Sequence, residues 1–196
     1  MTRRKFIVYL AGITAALLSA LFGRLSISVG AGRKFLRPPG AISENRFLSA
    51  CIRCGKCAAV CPRACIKFHT FSDGIGLFGA PYIEPRARAC NLCMNCAGVC
   101  PTGALEAIPA EKEAIINRVY MGTAVVNTAL CISFLGRLCG ECRDACPFPG
   151  EAIKLESWAR PKVIEDKCVG CGLCVEVCPQ EPTAIRVDTS GERRRI

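Results

Sequence analysis

The sequence lacks most of the motifs through which enzymes bind substrates or nucleotides. It has no glycine-rich dinucleotide fingerprint, no phosphate-binding loop and no serine–histidine pair in the setting of a hydrolase. It holds a single histidine, and no Cys-x-x-Cys-His stretch occurs, which excludes covalent attachment of c-type haem. We therefore expect no substrate site in this chain and no enzymatic activity of its own.

Acidic residues are missing from the first 37 positions. The seven arginines and lysines there account for +7 of the formal net charge of +10, so the rest of the chain is only weakly basic. A strong positive charge usually indicates nucleic acid or an anionic membrane as a partner. This uneven distribution instead predicts no nucleic-acid binding, and residues 189–196 are interpreted as a solvated basic tail.

The N-terminal residues have the parts of an export signal. An uncharged apolar stretch over 6–23 follows a basic start, in which Arg3 and Arg4 precede Phe6 after one residue. That pattern is typical of the twin-arginine signal, which carries folded proteins. We predict that residues 1–31 are this signal, or an uncleaved membrane anchor, and that the body lies in the periplasm or on the outer face of the cytoplasmic membrane.

Seventeen cysteines are the dominant feature of the composition, and their spacing repeats. In three runs, four cysteines are separated by two, two and three residues, and proline follows the fourth. The third run in chain order keeps only Cys139, Cys142 and Cys146 at these intervals. We interpret Cys131 as its missing member, with residues 132–138 as a loop that returns the thiol to the group. Sixteen cysteines then form four sets of four.

This spacing is that of bacterial ferredoxins with two [4Fe-4S] clusters. Three closely spaced thiolates bind one cluster, and the cysteine before proline binds the other cluster of the pair. Zinc ribbons need neither the third cysteine nor the proline, and disulfides between cysteines three apart are strained. A zinc or disulfide scaffold remains the alternative to iron–sulfur clusters.

We predict four [4Fe-4S] clusters whose ligands pair in sequence order. The nested alternative joins the first run to the fourth and the second to the third, and would place Cys61 with residues 168–174. In sequential order the four ligand sets are Cys51, Cys54, Cys57 and Cys100; Cys90, Cys93, Cys96 and Cys61; Cys131, Cys139, Cys142 and Cys178; and Cys168, Cys171, Cys174 and Cys146.

The expected fold class is α+β, with two tandem dicluster ferredoxin modules over 42–110 and 119–188 after a linker at 32–41. Each module should contain a short helix after the third ligand of each run, and short strands. The predicted strands lie at 64–68, 81–85, 121–127, 161–166 and 184–188.

Three residues near these runs are interpreted as structural. Cys65 is predicted to be a small buried residue rather than a ligand, His69 an ordinary loop residue, and Trp158 a packing residue rather than a docking residue.

The twin-arginine start, the RPPGA segment at 37–41, the MGTAVVN segment at 121–127 and the wide spacing after Cys131 resemble the NapG and MauM family of exported polyferredoxins. The resemblance implies an electron-transfer subunit associated with the membrane. It implies a quinol-oxidising, NapH-like integral membrane protein as one partner and an exported oxidoreductase or cytochrome as the other. The final pathway would be of the nitrate or methylamine type.

The function expected from the sequence is therefore electron relay through iron–sulfur clusters. The alternatives are an iron–sulfur subunit of a different membrane-bound dehydrogenase or molybdo-oxidoreductase, a dehydrogenase that acts on a substrate unaided, and the zinc or disulfide scaffold.

Overall fold

The computed structural model describes residues 35–189 of the chain. The predicted signal or anchor at 1–31 and all but the first residue of the predicted basic tail lie outside this range. Within 35–189, no helix combines the length and the apolar character needed to cross a membrane.

The described part consists of short helices and short strands joined by tight turns. The helices, in chain order, are α1 (Glu44–Ala50), α2 (Lys56–Ala59), α3 (Asn95–Gly98), α4 (Lys112–Arg118), α5 (Glu141–Asp144) and α6 (Leu173–Glu176). The strands are β1 (Ile66–Phe68), β2 (Pro81–Ile83), β3 (Thr123–Val126), β4 (Ile153–Glu156), β5 (Arg160–Val163) and β6 (Ile185–Asp188). Single 3-10 turns occur at Phe71–Asp73, Ser157–Ala159 and Glu165–Lys167.

The first half is built around the antiparallel hairpin of β1 and β2. Ile66 pairs with Ile83, and both side chains are buried, as expected for β-branched residues on the inner face of a strand. A single antiparallel bridge between Ala41 and Leu105 joins the start of this half to its end.

The second half repeats this plan with longer strands. The inner hairpin pairs β4 with β5, and the outer pair joins β3 to β6 over four residues, from Thr123 opposite Asp188 to Val126 opposite Ile185. Ala124 and Ile185 are buried between this outer pair and the cysteine runs. The N- and C-terminal strands of the second half therefore close it more extensively than the single bridge closes the first.

Residues 35–41, predicted to be linker, pack into the first half. Leu36 bridges Ile83, and the Gly40 carbonyl accepts a hydrogen bond of 2.7 Å from the Glu106 backbone N–H. Arg37 is fully buried: its Nε donates to the Glu44 carboxylate at 3.1 Å and its Nη1 to the Pro81 carbonyl at 2.7 Å. The composition, rich in proline and glycine, indicated a linker, but these long-range bonds make the segment part of the module.

Helix α4 connects the two halves and contributes Ile115 and Ile116 to a shared core. That core also contains Phe148 and Val169 of the second half, together with Phe47 of the first. The Met121 N–H donates to the Val169 carbonyl at 3.1 Å. The halves therefore share buried apolar surface, which is the main stabilising contribution in folding.

Candidate metal centres

The sixteen predicted ligands gather in four places, which we call sites one to four. Each group consists of three cysteines from one run and a fourth from another position in the same half. Common cavities are lined by Cys51, Cys54, Cys57 and Cys100 at site one, by Cys61, Cys90, Cys93 and Cys96 at site two, and by Cys131, Cys139, Cys142 and Cys178 at site three. At site four, the charges of Cys146, Cys168 and Cys171 act on Cys174.

In three of the four runs, the residues directly before and after the second cysteine have left-handed backbone conformations. In the fourth run, Gly170 and Gly172 have φ values of 74° and 84°. In the second run, Leu92 and Met94 adopt φ values of 60° although neither is glycine. A side chain in this region costs roughly 1–2 kcal/mol, so the requirement for the turn outweighs the residue preference. A short helix follows each turn and contains the third cysteine rather than starting after it.

The third run reaches its site by a different backbone path. Gly140, which follows Cys139, has a φ of −151° and is not left-handed. Residues 132–138 form a loop in which the Arg137 N–H donates to the Ile132 carbonyl at 3.0 Å, and Ser133 Oγ donates to the Cys139 carbonyl at 3.3 Å. These bonds fold the loop back on itself and place Cys131, which is buried, in the same cavity as Cys139.

Backbone N–H groups point at several of the sulfurs. The Leu92 N–H lies 3.3 Å from Cys90 Sγ, the Leu105 N–H lies 3.4 Å from Cys100 Sγ, and the Ala124 N–H lies 3.4 Å from Cys168 Sγ. Hydrogen bonds to ligand sulfurs offset the thiolate charge and tune the reduction potential of an iron–sulfur cluster.

Burial makes these thiols hard to ionise without a compensating positive charge. Desolvation raises the pKa of Cys96 and of Cys171 to about 12, and the neighbouring cysteines of the same sites add to both shifts. Four thiolates held together in such a place need cations between them. The donor sets therefore fit a group that carries its own positive charge.

The arrangement favours a cluster of metal ions over a single ion. Four thiolates on one tetrahedral zinc, at about 2.3 Å from the metal, would lie roughly 3.8 Å from one another. Within residues 35–189, no group of three histidine, cysteine or acidic side chains is arranged to hold a single metal ion. In a cubane, by contrast, each thiolate binds a different iron.

Contacts between neighbouring sites give the order one, two, four and three, which we call the row. Helix α2, which carries Cys57 of site one, packs against α3, which carries Cys96 of site two. The Cys90 N–H donates to the Cys171 carbonyl at 3.1 Å, which links site two to site four across the two halves. Helix α5, which carries Cys142 of site three, packs against α6, which carries Cys174 of site four.

Charged side chains reinforce the junction between the halves. Arg63 Nη2 lies 2.6 Å from a carboxylate oxygen of Glu176, and the other oxygen accepts the Ala89 N–H at 2.7 Å. The Arg86 guanidinium donates to the Cys178 carbonyl at 2.8 Å. Glu176 thus neutralises Arg63 and accepts a hydrogen bond from a backbone N–H beside the Cys90–Cys171 contact.

Two of the three residues interpreted as structural differ from expectation in the structure. His69 is buried, stacked on Tyr82 at 4.3 Å between ring centroids, with Nδ1 3.3 Å from Asp73. Burial lowers its pKa. Trp158 is 67% exposed in the turn between β4 and β5, at a φ of 64°, so it does not pack. The sequence does not predict this exposed turn, because its pattern indicates strand β5 but not strand β4.

Cys65 is buried as predicted, and it lies among the ligands of site two. It lines the cavity that Cys61, Cys90, Cys93 and Cys96 share, and its sulfur is 3.6 Å from Cys61 Sγ. Site two therefore contains five thiols.

Comparison with known proteins agrees with this arrangement. Two family profiles, each described as a 4Fe-4S dicluster domain, match residues 50–104 and 124–187. The ferredoxin-type protein NapG of Escherichia coli is 41% identical, over 94% of this chain and 84% of its own length. The methylamine utilization ferredoxin-type protein MauM of Methylorubrum extorquens is 38% identical, over 90% of this chain and 83% of its own length.

The chain belongs to the NapG and MauM family of ferredoxin-type proteins. It consists of two tandem 4Fe-4S dicluster domains with a mixed helix and strand fold, and it is an iron–sulfur electron-transfer protein. One solved complex, the formate dehydrogenase – heterodisulfide reductase – formylmethanofuran dehydrogenase complex from Methanospirillum hungatei, contains a chain that is 25% identical with a TM-score of 0.28. The alignment covers 83% of this chain and 54% of that chain.

Proposed function

We propose that this member of the family binds four [4Fe-4S] clusters, one at each of sites one to four, and passes electrons along them in series. The order is site one, site two, site four and site three, in either direction. The observation that supports the proposal is that the quartets of sites one, two and three each line a common cavity, and that a backbone hydrogen bond joins Cys90 of site two to Cys171 of site four. A cluster bound at each site supplies one-electron oxidation and reduction.

The residues of the chain supply the remaining requirements. Each quartet binds the irons of one cluster. The backbone N–H groups of Leu92, Leu105 and Ala124 stabilise the negative charge of the thiolates. Because the paired fourth cysteines cross between runs, the two runs of one half lock each other in place. The shared core around Phe148 and Val169 keeps the two halves together.

Burial separates site one from the other three sites. Two cysteines are buried in each of sites two, three and four, whereas none is buried at site one, where Cys54 is exposed. Beside site three, the loop of residues 132–138 carries Leu138, which is 74% exposed. We propose that one partner reaches the row at site one and the other at the loop beside site three.

The partners follow from the family. We propose that a quinol-oxidising integral membrane protein donates electrons at one end and that an exported oxidoreductase or cytochrome accepts them at the other. The basic N-terminal segment, with Arg3 and Arg4 ahead of an apolar stretch, supports twin-arginine export to the periplasmic side. The names of the relatives describe ferredoxin-type proteins, and the name of MauM also describes methylamine utilization.

The series order can be tested by removing one cluster at a time. Anaerobic protein is mixed with membrane vesicles that contain quinol and the quinol-oxidising partner, and rapid-freeze EPR follows which clusters become reduced. Cys93→Ser removes the cluster of site two, and an iron content of roughly twelve verifies that the other three remain. We expect fast reduction of one remaining cluster if electrons enter at site one, or of two if they enter at site three.

A matched variant, Cys54→Ser, removes the terminal cluster of site one instead. Entry at site three then reduces all three remaining clusters, and entry at site one reduces none quickly. If Cys93→Ser leaves all three remaining clusters as rapidly reduced as in the wild type, the clusters do not form a series.

A further inference from the structure

The fifth thiol of site two has a neighbourhood that a packing residue does not need. Cys65 is 3% exposed, and its sulfur is 3.6 Å from Cys61 Sγ, within hydrogen-bonding distance for two sulfurs. It also lines the same cavity as Cys90. Cys61 and Cys90 come from different runs, so one buried thiol lies where the two runs meet at a single cluster site.

The other three runs have no such group at the same position. Four residues after the last cysteine, the second run has Ala104, the third has Gly150 and the fourth has Pro182. None of these side chains can donate a hydrogen bond. At site one, the Cys100 sulfur lies 3.4 Å from the Leu105 backbone N–H and 3.7 Å from the Thr102 hydroxyl. Site two therefore differs from the other three sites in having a buried thiol at this position, and not in its four predicted ligands.

A fifth thiol has no iron to bind once the quartet is complete. A cubane offers four irons, and Cys61 completes the set with Cys90, Cys93 and Cys96. A further negative charge in this buried place, beside a cluster that already carries four thiolates, would be strongly disfavoured. When Cys61 binds iron as a thiolate, Cys65 therefore remains a neutral thiol, and its S–H can donate to the Cys61 sulfur 3.6 Å away.

We propose that the Cys65 thiol donates a hydrogen bond to a ligand sulfur of site two and raises the reduction potential of that cluster alone. This inference rests on the proposed function, since it requires a cluster at site two. A donor withdraws electron density from the coordinating sulfur and makes the cluster easier to reduce. The low dielectric of a buried site strengthens that effect. Cys65 is thus a positioning and tuning residue, not a ligand.

The test compares Cys65→Ala with Cys65→Ser in potentiometric EPR titrations of the intact, anaerobically purified protein. Both variants should keep roughly sixteen irons. In Cys65→Ala, one of the four clusters should become harder to reduce by on the order of tenfold in its equilibrium constant, about 59 mV for one electron. Cys65→Ser keeps a donor and should restore most of that potential.

A second readout detects the proton itself. Electron–nuclear double resonance in H₂O and D₂O should show an exchangeable proton coupled to the cluster of site two in the wild type and in Cys65→Ser, and its loss in Cys65→Ala. As a converse variant, Ala104→Ser places a hydroxyl donor at the matching position beside Cys100 and should raise the potential of the site one cluster instead.

The possible outcomes separate this inference from the proposed function. Unchanged potentials in Cys65→Ala would overturn the tuning role and leave a packing residue. A fall to roughly twelve irons in Cys65→Ala would also overturn it, because Cys65 would then be a ligand. A wild-type protein without four clusters would instead contradict the proposed function itself.

Discussion

The first and third cysteine runs each bring three thiols to one cavity, but their backbones follow different paths. In the first run, Arg53 and Gly55 adopt left-handed conformations on either side of Cys54, and two residues separate Cys54 from each of its neighbouring cysteines. In the third run, Gly140 is not left-handed, and a seven-residue loop separates Cys131 from Cys139. Both runs nevertheless bring three thiols to one cavity. The position of the sulfurs is what a cluster site constrains, and the chain between them can vary.

The strongest way to break this comparison is to remove Cys131. If it matches the first cysteine of the other runs, Cys131→Ser should lose one whole cluster, and the iron content should fall from roughly sixteen to roughly twelve per chain. Chemical assay of iron and sulfide on anaerobic protein measures this. Leu138→Ser, at an exposed position in the same loop, is the matched control and should keep all four clusters. Retention of all four in Cys131→Ser would show that another residue supplies the ligand.

The left-handed turns can be compared at two glycines of the second half. Gly170 has a φ of 74°, and a Cβ there would collide with the backbone of Gly122, so Gly170→Ala should destabilise the protein by about 3 kcal/mol. Gly150 has a φ of 79° but open space around it, so Gly150→Ala should cost only about 1–2 kcal/mol. Urea titrations of the holoprotein, followed by cluster absorbance, measure both. Equal losses would mean that the close approach to Gly122 is unimportant.

The junction between the halves gives a smaller effect. Glu176→Ala leaves the Arg63 guanidinium and the Ala89 N–H without their carboxylate and should cost about 2 kcal/mol in the same titrations. The control is Glu156→Ala, which breaks an exposed pair with Lys162 and should cost less than about 1 kcal/mol. A loss no larger than that of the control would show that the Glu176 contacts do not stabilise the junction.

The sequence indicates the sites more completely than the scaffold because cysteine spacing is a direct record of ligand geometry. The strands around Ile66 and Ile185 were also predictable, since β-branched residues stand between turn signals. Strand β4 is not indicated by the sequence, because two of its four residues are charged. Helices α1 and α4 have seven residues each, which is too short for an apolar period to indicate them.

Long-range contacts explain the remaining differences. Pro38 and Pro39 are typical of a linker, yet the bridge to Ile83 and the bonds of Arg37 bury this segment, and no local pattern records them. Cys65 has the spacing of a packing residue in its own run. Its position beside Cys90, 25 residues later in the chain, arises only through the fold.

The most direct test of the account is the iron and acid-labile sulfide content of the full chain, purified without oxygen, together with EPR of the reduced protein. The account predicts roughly sixteen irons and sixteen sulfides per chain, with signals of magnetically interacting cubanes. A content of roughly eight irons, or a colourless protein that contains zinc, would contradict it.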